Sequence, residues 1–109
     1  MIGTPKAVTP AALTASSVTQ YTVPGSTTSI VKEILVCNTD SVARTATVYF
    51  VPSGGSPAAS NIILSARSLA AGETLVVGLS SVLATGDTIR ALASTAAVVS
   101  FRASVVECA

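Results

Sequence analysis

With 109 residues the chain has the length of one domain able to bury its own core. Half of its residues are hydrophobic, yet only 10% are charged and 4% aromatic, against roughly 25% charged in an average globular protein. The lack of histidine excludes Ser–His–Asp, Cys–His and histidine–metal centres. A net charge of +1, with six basic residues scattered singly, argues against a track for a nucleic-acid backbone.

Residues 1–16 are rich in Ala, Thr, Ser and Pro and are expected to form an extended N-terminal arm, ahead of a β-sandwich domain at 17–109. No continuous apolar run follows Lys6, so no secretory signal is expected and synthesis in a cytoplasm is the default. The uncharged stretch between Lys6 and Lys32 is interrupted by Pro10, Pro24 and many Ser and Thr residues, which excludes a membrane helix there.

A first strand is expected over Ser17–Val23, closed by the turn Pro24-Gly25-Ser26. Two longer strands follow, about Ser29–Asn38 and Ala43–Val51, rich in β-branched and aliphatic residues. Asn38-Thr39-Asp40-Ser41 lies between them, and its side chains bond local backbone, so the pair reads as a hairpin. Pro52 ends the second strand because it has no N–H for a ladder. Tyr49 and Phe50 point to opposite faces, Phe50 joining Val48 in the core and Tyr49 standing at a face edge near Val51.

Asn61–Leu69 is expected as the next strand. Two segments then echo each other: Leu69-Ala-Ala-Gly72-Glu73-Thr74-Leu75 and Leu83-Ala-Thr-Gly86-Asp87-Thr88-Ile89. In each, glycine suits a turn and the acid caps it before a new strand, about Thr74–Leu79 and Thr88–Ala93. The stretch Leu79–Leu83 reads as a loop or one helical turn. In the last segment, 96–106, Val99, Phe101, Ala103 and Val105 share one face and Ser100, Arg102 and Ser104 the other.

Seven strand candidates with regular turn signals and no helical period predict an all-β fold. The expected architecture is a single antiparallel β-sandwich of about seven strands, Ig-like or jelly-roll-like. Cys37 and Cys108 read as free thiols behaving as small hydrophobes. The acids Glu33, Asp40, Glu73, Asp87 and Glu107 form no recognisable catalytic or metal-ligating pattern, so no enzyme activity, cofactor or metal is expected. Low charge favours an oligomer or a component of a larger assembly. The candidate interface residues are Ile2, Lys6, Val8, Tyr21, Tyr49 and Val51.

Several of these motifs resemble small β-sandwich virion proteins of tailed bacteriophages. The resemblance covers Tyr21–Val106 and rests chiefly on NTDS-x-AR-x-x-x-V-Y followed by VPSGG, and on GDTI-x-A-x-AS. It implies a structural role without catalytic residues, as a capsid decoration (cement) protein at capsomer junctions or as a tail or fibre component. It further implies a homo-oligomer, with a trimer favoured, whose partners are the major capsid protein or neighbouring virion proteins. The expected location is the virion, with no nucleic acid or membrane partner. A receptor- or glycan-binding module is the alternative, and it lacks the outward aromatics such modules use.

Overall fold

The computed structural model describes residues 3–8 and 10–109. Among the described residues, alternating apolar and small polar side chains build nine strands: β1 (Gly3–Ala7), β2 (Ala11–Ala12), β3 (Val18–Thr22), β4 (Thr28–Asn38), β5 (Arg44–Val51), β6 (Ile62–Leu69), β7 (Thr74–Leu83), β8 (Thr88–Ala93) and β9 (Val99–Cys108). One sheet has the order β1-β9-β4-β7, with β2 also on β9, and the other the order β3-β8-β5-β6. Every ladder is antiparallel. Two consecutive pairs stay within a sheet, β1 with β2 and β5 with β6; the connections from β2 to β3, β3 to β4 and β4 to β5 change sheet, as do all those from β6 onward. This crossing pattern is a jelly roll, which decides between the two expected architectures.

The expected hairpin of Ser29–Asn38 with Ala43–Val51 does not form. β4 lies between β9 and β7, whereas β5 lies between β8 and β6 in the opposite sheet. Asn38 explains the difference. Its side chain is fully buried, and its Nδ2 donates to the carbonyls of Val42, Leu69 and Ala70 at 2.9, 3.1 and 3.2 Å. Its Oδ1 accepts the Asp40 N–H at 3.0 Å. Asn38 therefore ties its own corner to the start of the β6–β7 corner, and the chain turns across the sandwich rather than back along one sheet. Asp40 then holds Arg44 through Nε and Nη2 at 2.8 and 2.7 Å.

The echoed segments form equivalent corners. In the first, the Glu73 N–H donates to the Ala70 carbonyl and the Glu73 carboxylate accepts the Ala70 N–H at 2.8 Å. In the second, Asp87 makes the same two bonds with Ala84, the side-chain one at 2.9 Å. Gly72 and Gly86 occupy the third turn position with φ of 75° and 86°, the positive values a type II turn requires there. The stretch read as a loop or helical turn, Leu79–Leu83, instead continues β7. Its odd-numbered residues turn inward and Ser80 and Val82 outward, because this strand covers the flank of the core along most of β4.

The core lies between the sheets. Val31, Ile34 and Val36 of β4 and Val99, Phe101, Ala103 and Val105 of β9 meet Ala46, Val48 and Phe50 of β5 and Ile89, Ala91 and Ala93 of β8. Burying aliphatic and aromatic surface here is the main stabilising term. Of the first sixteen residues, Gly3–Ala7 and Ala11–Ala12 pair with β9, and Val8 and Leu13 are buried in the core.

Candidate assembly surface

The outward face of the first sheet follows from its registers. One row reads Pro5, Val106, Ile30, Val82; the next Ala7, Ser104, Glu33, Gly78; the next Arg102, Leu35, Val76. Aliphatic side chains thus stand on a solvent face beside Lys32, Glu33 and Arg102, and Val76 and Val82 are 53% and 66% exposed. A bulge at Lys32 shifts the register of β4 against both neighbours, and the freed ammonium donates to Ser80 Oγ at 2.9 Å. Beside it a shallow groove of about 310 Å³ runs over Pro5, Ala7, Ser104 and Val106.

Cys37 and Cys108 are free and half-buried. Cys108 pairs with Thr28, nine residues along β4 from Cys37, which separates the thiols by roughly 30 Å at 3.3 Å per residue. That span rules out a disulfide within one copy.

The sequence-derived interface residues are not brought together. Val8, Tyr21 and Val51 are 2%, 8% and 1% exposed, so their side chains are packed inside the fold and offer no docking surface in this state. Val8 belongs to the segment expected as an extended N-terminal arm, and the pairing of β1 with β9 carries it over the core. Val51 is covered although the β5 alternation predicts an outward position. Tyr49 remains half-exposed on the other sheet, opposite Arg90 of β8. Lys6 is exposed on β1, and Ile2 lies outside the described residues. The apolar stripe of the first sheet was missed; alternation in β4, β7 and β9 contains it, but assigning it requires knowing that these three strands are neighbours.

One end of the sandwich is closed by a polar cluster. The Tyr21 hydroxyl donates to Glu107 Oε2 at 2.5 Å and accepts from Ser29 Oγ at 2.7 Å, joining the two sheets. Lys6 Nζ lies 3.6 Å from the same carboxylate oxygen and 5.9 Å from the centre of the Tyr21 ring. Burial, followed by the bond to Glu107, pushes the Tyr21 phenol up from 10.0 to about 12. The Arg44 guanidinium, first through its hydrogen bond, holds the Asp40 carboxyl below its ordinary value.

Four of the five carboxylates are therefore engaged inside the fold: Glu73 and Asp87 in corners, Asp40 with Arg44, and Glu107 with Tyr21. Among the described residues no three His, Cys, Asp or Glu side chains gather as a metal site.

The arrangement defines a small jelly-roll module whose most distinctive surface is an apolar sheet face. No protein-family model and no curated protein matches the chain. Among solved structures it is similar to a protein of the disulfide-linked pili that form Bacillus endospore appendages, with 16% identity and a TM-score of 0.59 over 97% of this chain and 85% of that one. It is also similar to chains of the infectious bursal disease virus particle and subviral particle, with 9% and 11% identity and a TM-score of 0.53 for both. The match covers 96% and 94% of this chain but only 30% and 32% of the viral chains. At these identities the likeness is one of fold.

Proposed function

We propose that this chain is a non-enzymatic structural subunit that packs through the outward face of its first sheet into a repeating protein particle or appendage. The observation that carries the reading is the aliphatic stripe of Ile30, Leu35, Val76, Val82 and Val106 on a solvent face. Exposed aliphatic side chains grouped on a sheet face suit burial against another protein, with Lys32, Glu33 and Arg102 as the polar groups among them. The similar structures support it, since they belong to a pilus and to viral particles.

Within that role, the finer reading is a decoration protein on the head of a tailed bacteriophage, bound at capsomer junctions to the major capsid protein. Weak contacts repeated over a shell would add up by multivalency. The test is the copy number of this protein in purified particles, by quantitative mass spectrometry against the major capsid protein. Comparable copies support decoration, a few copies move the protein to the tail or fibre, and absence from particles discards the virion reading.

A second reading, as an appendage subunit, is favoured by the 85% coverage of the Bacillus pilus protein, whose pili are disulfide-linked. Cys37 and Cys108 stand near opposite ends of the outward face, so a disulfide in this chain would join copies. Non-reducing electrophoresis of native material tests this: covalent multimers support it, and monomers alone reject it.

A further inference from the structure

A jelly roll has four sheet edges, and three of them carry features that discourage pairing with another strand. On β1, Pro5 lacks an N–H and Lys6 sits in register with inward-facing Val105. On β6, Ala66 adopts a φ of 44°, Arg67 adds a charge, and the ladder to β5 shifts register twice. β3 has five residues and a register shift between Thr19 and Tyr21. The fourth edge, β7, has ten residues, TLVVGLSSVL, with no charge and no proline. Its register with β4 shifts once, between Gly78 and Ser81, where Leu79 and Ser80 lie against Lys32 alone.

We propose that β7 pairs antiparallel with β7 of a second copy across a two-fold axis centred on Gly78. A chain with a single open edge can satisfy it among its own kind only by presenting that same edge twice, which gives a closed, isologous contact. Gly78 is the midpoint of Thr74–Val82, and it is outward-facing with nothing within 4 Å of an added Cβ. A glycine within a strand marks a place where another backbone can approach closely. Centred there, Thr74 faces the copy's Val82 and Val76 faces its Ser80, while Val77 faces its Leu79 on the inner side. All these pairs are uncharged. The paired first sheets would then form one ten-stranded sheet, with the outward faces of both copies side by side.

This contact does not depend on the particle reading, and the two fail separately. The test is sedimentation velocity of the full chain over a concentration series, with Gly78→Lys and Gly78→Glu. The parent is expected to shift with concentration toward twice its 10.8 kDa mass. Each variant places like charges opposite each other at the axis and should raise the dissociation constant by roughly tenfold or more. An equimolar mixture sets lysine against glutamate and should restore the dimer. No atom of the same copy lies within 4 Å of the new Cβ, so both variants should keep the parent's circular dichroism; Gly78→Lys, which faces Glu33 of β4, should melt within a few degrees of the parent, and Gly78→Glu, which faces the same carboxylate, somewhat lower. A strictly monomeric or trimeric parent, single variants that associate like the parent, or a mixture that stays dissociated would each overturn the proposal.

Discussion

Tyr21→Phe removes one hydroxyl and tests whether the polar cluster holds the two sheets together. The Tyr21 oxygen donates to a carboxylate and accepts from a serine that is 0% exposed. A hydrogen bond to a charged group contributes about 1.5–3 kcal/mol, and the Ser29 hydroxyl is left without its acceptor, so the expected loss is about 2–3 kcal/mol. For a domain of this size that lowers the melting temperature by about 10–15 °C. Urea unfolding at pH 7 measures the free energy, and a cycle with Glu107→Gln isolates the pair. The pH profile supplies a second readout. The Tyr21 phenol is raised from 10.0 to about 12 in the fold, so its contribution is fully present below pH 10 and lost as pH rises toward 12. The parent should lose stability across that window, and Tyr21→Phe should lack that part of the loss. A cost under about 0.5 kcal/mol, together with identical alkaline profiles, would refute the reasoning.

Four further variants test the corners and the first strands. Asn38→Asp replaces the amide that donates to three carbonyls with a carboxylate that repels them, and should cost about 3 kcal/mol or more in urea melts. Gly72→Ala should cost about 1–2 kcal/mol from its positive φ alone. Gly86→Ala should cost more, because the new Cβ would lie 2.6 Å from Ser53 Oγ and displace a loop whose Ser53 N–H is bonded to Asp87; thermal melts should rank the two in that order. Deleting residues 1–15 strips Val8 and Leu13 from the core, a loss of about 3–6 kcal/mol from those two side chains alone. That truncation should show a large drop in melting temperature before any effect on particle binding is measured.

The strands and turns of this protein were legible in its sequence because they depend on neighbours in the chain. Alternation placed Val99, Phe101, Ala103 and Val105 on one face, and all four are buried. The two Gly-acid-Thr echoes marked turns, and both are corners with the same pair of hydrogen bonds. Which strands lie side by side was decided only in the tertiary structure. Asn38-Thr39-Asp40-Ser41 carries the chemistry of a tight turn, but that chemistry serves a hairpin and a corner between sheets equally well. The choice rests on the carbonyls of Leu69 and Ala70, some thirty residues away, which reach Asn38 only once β6 and β7 are in place. The same holds for the surface: Ile30, Leu35, Val76, Val82 and Val106 become one stripe only because β9, β4 and β7 are adjacent. Tyr21, a candidate interface residue by sequence, is buried in the fold, where β9 brings Glu107 to its hydroxyl. Local alternation fixes which way each side chain points, whereas the long-range order of strands determines what it meets.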